Sequence, residues 1–196
     1  MTILLLGPPS ENISSHLTDL GNQVICYEKE IMPSSKILDA VDFIVCYGYK
    51  HIVGQEIVKR FHNRAINLHI SYLPWNRGSD PNLWSFLDDT PKGVSMHFID
   101  EGIDTGCLLA RQKIEPHPDD TLKTSYDRLK REIEKLFVKE WPEIFSGKKQ
   151  GEPQFGKGSF HKRSDFKAVE HLLTEGWDTP IKYLVENYKK LNCEKK

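Results

Sequence analysis

The 196-residue chain has few cysteines, no long apolar run and almost no net charge. Its four cysteines lie far apart without a C-x-x-C pair, which is typical of a reduced protein of the cytosol. No apolar stretch approaches the length of about 18 residues that suggests a membrane span, and the opening MTILLLGPPS lacks the basic start of a signal peptide. The 27 basic and 28 acidic residues nearly cancel, so no global field recruits nucleic acid or an anionic membrane. We therefore expect a cytoplasmic protein without a global attraction to nucleic acid or membranes, although local basic patches remain compatible with this charge balance.

The first predicted strand is not followed by the glycine-rich loop of a dinucleotide-binding site. The run TILLLG at 2–7 ends at Gly7, but Pro8 and Pro9 follow, and the two further glycines of a G-x-G-x-x-G loop are missing. We interpret this segment as a tight turn from a strand into a helix and not as a dinucleotide site.

Short apolar runs alternate with longer helix-like segments, and this alternation predicts an α/β fold with a mostly parallel central sheet and flanking helices. The predicted strands lie at 2–7, 23–28, 42–48, 65–71, 93–100 and 107–114. The predicted helices lie at 11–20, 54–62 and 80–88, and a longer one runs from Thr121 to about Gly147 unless Pro142 kinks or ends it. We place one domain at 1–150 and a short C-terminal appendage at 151–196.

Polar side chains stand at the end of the predicted strand INLHIS, residues 66–71. Because side chains alternate along a strand, Asn67 and His69 point to the same face. The carboxyl end of such a strand faces the crevice where ligands bind in open α/β sheets. A single histidine in a strand is nevertheless more often structural than catalytic.

A second polar segment, MHFIDEGIDTG at 96–106, favours a catalytic role for His69 over a structural one. Asp104 stands between Gly102 and Gly106, which allow a tight turn, although a polar hairpin turn is an equally good reading. One helix and one strand separate His69 from Asp104, the length of a single crossover. We therefore expect neighbouring strands whose loops open on the same edge of the sheet, where the asparagine, histidine and aspartate converge.

Three segments together resemble the folate-dependent formyltransferases, which include glycinamide ribonucleotide, methionyl-tRNA and sugar N-formyltransferases. The family pattern is an N-x-H strand end, an S-x-L-P-x-x-x-G loop and a later D-x-G-x-D-x-G loop. In this chain they stand in the same order as NLH at 67–69, SYLPWNRG at 71–78 and DEGIDTG at 100–106. The resemblance spans about residues 1–115 and implies a Rossmann-like formyltransferase fold, with the catalytic domain at 1–150.

By this resemblance Asn67, His69 and Asp104 are the catalytic triad and 10-formyltetrahydrofolate is the formyl donor. A substrate amine attacks the formyl carbon, and we expect the Asn67 amide to donate a hydrogen bond to the resulting oxyanion. His69 is expected to donate a second bond or to carry the proton, with Asp104 orienting it. No metal is required. His97 on the adjacent strand suggests zinc, but no third ligand stands at a suitable spacing.

The segment that follows the third predicted strand is the expected wall of the folate pocket. In related enzymes the segment matching KHIV lines the folate ring, so the predicted cofactor-binding residues are His51, Ile52, Val53, Ile99 and Asp100. A chain that turns after a strand offers main-chain donors and acceptors with apolar sides, which suits a pterin. The alternative is a core strand followed by a helix cap.

The loop SYLPWNRGSDPNLWSF at 71–86 is similar to that of the sugar N-formyltransferases, whose typical form is S-x-L-P-Y-N-R-G-A-D-P-N. The predicted acceptor-binding residues are Tyr72, Trp75, Asn76, Arg77 and Asp80. Trp75, Asn76 and Arg77 should project beside the formyl group, and the fork of Arg77 suits a phosphate. Arg77 could equally pair with Asp80, which could itself only cap the next helix. The basic, aromatic tail after residue 155 predicts either a nucleotide diphosphate site or a solvated strap.

The resemblance implies an enzyme that formylates the amine of a nucleotide-linked deoxy-amino-sugar destined for surface polysaccharide such as lipopolysaccharide. Its partners are then the sugar nucleotide and folate, and a homodimer is compatible with it. Within the fold, the alternatives are another amine, chiefly glycinamide ribonucleotide, or water in a deformylase. From a different class, the chain could be a folate-binding module without turnover, against which the intact Asn67, His69 and Asp104 argue.

Overall fold

The computed structural model describes residues 1–193, and the chain divides into two compact units. The first, called the sheet unit, consists of Met1–His69, Ser95–Ala110 and Ile133–Gln154. The second, called the loop unit, consists of Ile70–Val94, Arg111–Glu132 and the residues from Phe155 onward. The functional boundary proposed at residue 150 is not tested by this division and stays a prediction. Within residues 1–193, none of the helices combines the length and the apolar character needed to cross a membrane.

In residues 1–193, six of the eight strands form one sheet, and these six match the predicted ones. In chain order the strands are β1 (Thr2–Leu6), β2 (Gln23–Tyr27), β3 (Phe43–Tyr47), β4 (Ala65–His69), β5 (Arg77–Gly78), β6 (Gly93–Phe98), β7 (Leu108–Lys113) and β8 (Phe160–His161). The sheet order is β2-β1-β3-β4-β6-β7, and β5 pairs separately with β8. Strand β1 runs parallel to β2 and β3, and β3 runs parallel to β4. The predicted α/β class with a mostly parallel sheet is confirmed.

Four of the five α-helices in residues 1–193 lie where the sequence predicts them, whereas the last, in the C-terminal appendage, is not predicted. The five are α1 (Glu11–Asp19), α2 (Gln55–Arg60), α3 (Pro81–Leu87), α4 (Leu122–Phe145) and α5 (Ile181–Cys193). Thr121 caps α4 as predicted, because its hydroxyl oxygen accepts a hydrogen bond from the Thr124 N–H at 3.1 Å. Helix α4 continues through Pro142 and ends at Phe145, so this proline lies in the last turn and does not end the helix at its own position.

Helices cover both faces of the sheet in the sheet unit, which explains why its inner strands are apolar on both sides. On one face Leu4 and Ile44 pack in a buried cluster with Ile57 of α2. On the other face the Phe43 ring meets the Trp141 ring of α4 edge-on, with centroids 5.1 Å apart. These two layers hold β3 and β4 rigidly, and β4 carries two of the predicted catalytic residues.

Strands β4 and β6 are neighbours, as predicted, but they run antiparallel. Asn67 lies opposite His97, and His69 lies opposite Ser95. The beginning of β6 therefore lies beside the carboxyl end of β4. The prediction of a crossover, with the loops after both strands opening at one edge of the sheet, is therefore wrong. The physical reason is that the connecting chain returns to the end of the sheet that it left, as an antiparallel pair requires.

In the loop unit, the C-terminal segment packs against α3 and pairs with strand β5. Strand β8 lies parallel to β5 and places His161 beside Gly78. The His161 ring stacks on Trp84 with centroids 4.0 Å apart, and its Nε2 lies 2.7 Å from Asp88 Oδ2. The apolar core of this unit includes Leu83, Leu87, Leu122, Leu172 and Leu184. The tail is therefore part of a packed structure that fixes β5.

We predict that Gly78→Ala destabilises the protein more than Gly21→Ala does. Both glycines have positive φ angles, +87° and +79°, so each alanine carries the left-handed backbone cost of about 1–2 kcal/mol. A Cβ at Gly78 would also lie 2.3 Å from the His161 carbonyl oxygen, whereas a Cβ at Gly21 meets nothing within 4 Å. Free energies of unfolding from denaturant titrations measure the difference. Equal losses would show that the approach of β8 to β5 is looser than described.

Candidate active site

Three polar side chains share one face of β4 and β6. Asn67 and His69 stand two residues apart on β4, so both point the same way. His97 lies directly opposite Asn67 on the antiparallel partner strand, which puts its side chain on that face too. The side chains of His69 and His97 are only 9% and 3% exposed. The sheet thus carries a shielded polar patch next to its apolar core.

The loop between β6 and β7 brings Asp104 to this patch. Inside the loop, Asp100 Oδ1 accepts a hydrogen bond from the Thr105 hydroxyl at 2.7 Å. At Gly106, an added Cβ would lie 1.8 Å from the carbonyl oxygen of Phe98, so only glycine allows the loop to pass this close to β6. The tight path of the loop places Asp104, which has a φ of 54°, over the polar face.

The segment that follows α4 fixes this loop from the outside. Gln154 Nε2 donates hydrogen bonds to the carbonyl oxygens of Asp104 and Gly106, at 2.9 and 2.8 Å. Leu108 and Glu152 exchange backbone hydrogen bonds at 2.7 and 2.8 Å. The backbone that carries the Asp104 carboxylate is therefore held by partners distant in sequence, and the sequence alone does not indicate them.

The Asp104 carboxylate meets all three polar side chains of the face. Its Oδ1 accepts a hydrogen bond from Asn67 Nδ2 at 3.0 Å, and its Oδ2 lies 3.7 Å from His69 Nδ1. Its Oδ1 also lies 3.4 Å from His97 Nε2. The Asp104 side chain is 11% exposed. The structure therefore brings together the three residues that the sequence predicts for catalysis.

This arrangement joins a neutral amide, an imidazole and a carboxylate in a site that is largely shielded from water. Electrostatic interactions are stronger there than in bulk solvent. An amide and an imidazole can donate hydrogen bonds to a developing oxyanion, and an imidazole beside a carboxylate can also take up and release a proton. For the part of the chain that the structure describes, no three or more His, Cys, Asp or Glu side chains are grouped so as to hold a metal ion.

His97 is the member of the cluster that sequence reasoning missed. The sequence suggests His97 only as a zinc ligand, whereas its Nε2 lies 3.3 Å from Asn67 Nδ2. The signal that would have found it is the register of an antiparallel pair, because residues directly opposite each other share a face. Without knowledge of the strand direction, the sequence does not place His97 opposite Asn67.

The residues predicted to bind folate lie in two segments of the sheet unit. His51 and Ile52 follow β3 and are exposed, and Ile52 reaches 76% exposure. Val53 and Ile99 are partly buried and pack against the apolar cluster that contains Leu4, Ile44 and Ile57. The Asp100 carboxylate is engaged inside its own loop. The structure describes where these residues lie, and their role in folate binding stays a prediction.

Two of the residues predicted to bind the acceptor present side chains at the start of the loop unit. Tyr72 and Trp75 are both half-buried. The guanidinium of Arg111 lies 4.6 Å from the centre of the Tyr72 ring and donates a hydrogen bond to the Leu73 carbonyl oxygen at 2.7 Å. Arg111, a residue of β7, thereby holds the Leu-Pro turn against this strand. The sequence alone does not predict this contact.

Asn76 does not project as predicted. It is fully buried, with 0% of its surface exposed, and its Nδ2 donates a hydrogen bond to the Thr90 hydroxyl at 2.8 Å. Its Oδ1 accepts a hydrogen bond from Ser159, whose hydroxyl oxygen in turn accepts one from the Asn76 N–H. Its polar groups are occupied by the fold, since a buried amide must find partners. Asn76 therefore braces the loop instead of contacting a ligand.

Asp80 lies at the first position before α3, but its side chain makes no capping hydrogen bond. Burial raises the pKa of the Asp80 carboxyl, and the charge of Arg163 partly offsets that rise. Asp80 lines a groove of about 610 Å³ in the loop unit, together with Arg163, Lys167, Glu170, Phe166 and Trp177. The Phe166 and Trp177 rings stack at 5.8 Å between centroids. The groove thus combines an aromatic surface with charges of both signs.

Comparison with known proteins identifies the family. Residues 18–140, more than half of the chain, match the formyl transferase family. A methionyl-tRNA formyltransferase from Finegoldia magna is 38% identical over 89 residues, covering 45% of this chain and 29% of that enzyme. A phosphoribosylglycinamide formyltransferase from Bacillus subtilis is 32% identical over 108 residues, covering 55% of this chain and 53% of that enzyme. The chain spans between 29% and 53% of the length of these and similar curated relatives.

A solved structure matches over almost the whole chain. The formyltransferase PseJ from Anoxybacillus kamchatkensis, crystallised with UDP-4,6-dideoxy-4-formamido-L-AltNAc and tetrahydrofolate, is 50% identical. The match has a TM-score of 0.91 and covers 94% of this chain and 97% of PseJ. Together with the family match and the Asn67, His69 and Asp104 cluster, this likeness leads to one conclusion: the chain belongs to the formyl transferase family.

Proposed function

We propose that this protein transfers a formyl group from 10-formyltetrahydrofolate to the amine of a nucleotide-linked deoxy-amino-sugar. The acceptor that we propose is a UDP-linked 4-amino-4,6-dideoxy sugar, the unformylated counterpart of the UDP sugar bound to PseJ. The observation that carries the proposal is the cluster of Asn67, His69 and Asp104 in a chain 50% identical to PseJ over 94% of its length.

The cluster contains the groups that the transfer needs. The acceptor nitrogen forms a bond to the formyl carbon, an oxyanion develops on the formyl oxygen, and the bond to the folate nitrogen then breaks. Asn67 and His69 are the proposed donors to the oxyanion, and one such donor typically contributes about 3 kcal/mol. His69 is also the proposed carrier of the proton that the amine loses and the folate nitrogen gains. The Asp104 carboxylate, 3.7 Å from His69 Nδ1, stabilises the positive charge that forms on this imidazole.

The formyl donor is proposed to lie against His51, Ile52, Val53, Ile99 and Asp100. The exposed side chain of Ile52 offers an apolar surface to a flat ring, and ligand pockets commonly combine such surfaces with main-chain donors and acceptors. Because the Asp100 carboxylate already accepts the Thr105 hydroxyl hydrogen, the proposed contribution of Asp100 to folate binding comes from its main chain.

The acceptor is proposed to contact Tyr72, Trp75, Arg77 and Asp80, and not Asn76, which is buried. Trp75 supplies an aromatic surface, and the planar guanidinium of Arg77 matches the two oxygens of a phosphate. Both side chains are partly exposed, which leaves surface for a ligand to contact.

The groove beside Asp80 is the proposed site of the nucleoside. The stacked rings of Phe166 and Trp177 can extend their stack to a uracil base. Arg163 and Lys167 supply positive charge for the diphosphate, and the Asp80 carboxylate can accept hydrogen bonds from ribose hydroxyls. The tail thus has a proposed role as a nucleotide site and is more than a surface strap.

We also propose that the reaction takes place in the cytoplasm and that its product enters surface polysaccharide. All four cysteines are unpaired in the structure, which supports a reducing compartment.

The direct test supplies the purified protein with 10-formyltetrahydrofolate and a UDP-linked 4-amino-4,6-dideoxy sugar. Mass spectrometry should show one formyl group added to the sugar nucleotide, together with release of tetrahydrofolate. Parallel reactions with thymidine-linked amino sugars, with glycinamide ribonucleotide and without an acceptor compare the alternatives. Formylation of glycinamide ribonucleotide alone, or release of formate without an acceptor, would refute the proposed acceptor.

Replacing Asn67, His69 or Asp104 by alanine should lower kcat about a hundredfold or more in each case. The expected loss follows from the removal of oxyanion donors and of the proton carrier with its partner. Asp39→Ala is the control, because the Asp39 side chain is 73% exposed and pairs with Arg60 on the surface. Steady-state kinetics on folded variants measures the effect. Near-normal turnover by His69→Ala would show that the mechanism is wrong.

Arg77→Ala and Trp177→Ala should each raise the KM for the sugar nucleotide about tenfold while leaving the KM for the formyl donor unchanged. Arg77 is lost as a phosphate partner, and Trp177 is lost as a stacking surface for the base. Arg131→Ala on the exposed side of α4 is the matched control. Varying each substrate separately decides the question. A higher KM for the formyl donor, with an unaltered acceptor KM, would assign this region to the folate.

A further inference from the structure

A buried imidazole adjoins the proposed reaction centre without a role in the transfer. His97 lies directly opposite Asn67 in the register of β4 and β6, and its side chain is 3% exposed. Both of its ring nitrogens have neighbours within hydrogen-bond reach: the carbonyl oxygen of Phe98 at Nδ1, and at Nε2 the Asn67 amide at 3.3 Å and Asp104 Oδ1 at 3.4 Å. The chemistry of these partners determines where the proton of the ring resides.

The hydrogen of the neutral ring resides on Nδ1. His97 Nδ1 lies 2.7 Å from the Phe98 carbonyl oxygen, and a carbonyl oxygen only accepts, so Nδ1 must donate. His97 Nε2 lies 3.3 Å from Asn67 Nδ2, which only donates, and 3.4 Å from Asp104 Oδ1, which only accepts. Because Asp104 Oδ1 already accepts the shorter hydrogen bond from Asn67 at 3.0 Å, and a neutral ring with its hydrogen on Nδ1 leaves a lone pair on Nε2, Nε2 is assigned as the acceptor from Asn67. A neutral imidazole with its hydrogen on Nδ1 satisfies the contacts with Phe98 and Asn67 at once.

The same contacts fix the orientation of the Asn67 amide. Nδ2 carries two hydrogens, one directed to Asp104 Oδ1 at 3.0 Å and the other to His97 Nε2 at 3.3 Å. If the amide were turned over, its oxygen would face a carboxylate and the lone pair of Nε2, neither of which has a hydrogen to donate. The nitrogen of Asn67 is therefore held toward Asp104 and His97.

We propose that His97 is a positioning residue for formyl transfer and that it acts through Asn67. This inference rests on the proposed function. His97 accepts one Asn67 hydrogen in the resting site, and Asp104 holds the other. As negative charge develops on the formyl oxygen, the oxyanion takes the hydrogen that His97 held, because a charged acceptor outcompetes a neutral one and the bond to His97 is the longer. Asp104, itself charged, keeps its bond and holds the amide plane in place.

Loss of the His97 acceptor leaves the Asn67 amide fixed at one hydrogen instead of two. The amide can then turn about its bond to Asp104, and the donor is no longer aimed before the reaction begins. Misplacement of a catalytic group on this scale costs up to about a hundredfold in rate. The effect should appear in kcat, because the Asn67 bond to the oxyanion forms only in the transition state.

A double-mutant cycle with Asn67→Ala tests the inference. His97→Phe keeps the ring volume and removes the acceptor, and it should lower kcat about ten- to a hundredfold with both KM values within about twofold of wild type. In the Asn67→Ala background the same substitution should cause no further loss, because its effect passes through Asn67. Equal losses in both backgrounds would overturn the inference.

Two further variants separate positioning from general damage to the fold. His97→Gln offers a side-chain oxygen as an alternative acceptor and should recover most of the activity that His97→Phe loses. His16→Phe is the matched control in the same unit, because the His16 ring packs edge-on against Phe137 and its Nε2 finds no hydrogen-bond partner among residues 1–193. It should retain wild-type kcat. A His97→Gln variant as slow as His97→Phe, although folded, would count against the acceptor role.

A measurement that needs no turnover keeps this inference distinct from the proposed function. Nitrogen NMR of histidine-labelled wild-type protein should show His97 as a neutral ring with its hydrogen on Nδ1, and Asn67→Ala should shift its Nε2 resonance. A His97 ring with its hydrogen on Nε2 would overturn the inference. A wild-type protein without formyl transfer would refute the proposed function alone, and the NMR result would then decide the inference by itself.

Discussion

The antiparallel pairing of β4 with β6 is the constraint on which the site depends. Its register sets Asn67 opposite His97 and His69 opposite Ser95, so polar side chains from two strands meet on one face of the sheet. A shift by one residue would send every one of these side chains to the other face, into the apolar core. The buried layers on both sides of the inner strands make such a shift costly and thereby hold the site geometry.

The carboxylate completes the site because a glycine-dependent loop passes close to β6 and is held by Gln154. Gly106 lets the chain pass against the Phe98 carbonyl oxygen, and Gln154 ties the loop backbone through two hydrogen bonds. Asp104 then reaches Asn67 and His69 from above the sheet face. A site whose groups are held before substrates arrive loses little free energy to reorganisation during the reaction.

The six strands of the central sheet, helices α1 to α4 and the meeting of Asn67, His69 and Asp104 could be predicted from the sequence, because side-chain periodicity and three linked motifs indicate them. Strands β5 and β8 and helix α5 were not predicted. The direction of β6 could not be predicted, because an alternating or apolar run reads the same for either direction. His97 was missed for that reason. Asn76 was expected to project, but its partners Thr90 and Ser159 lie 14 and 83 residues away, and no local pattern signals that burial.

The most direct test of the central claim is a crystal structure of the protein with tetrahydrofolate and the 4-formamido UDP sugar bound. We predict that the formamide oxygen accepts hydrogen bonds from Asn67 and His69 and that the Asn67 amide has released His97 while keeping Asp104. A formamide group bound beyond hydrogen-bond reach of both Asn67 and His69 would contradict the assignment of this cluster as the site of formyl transfer.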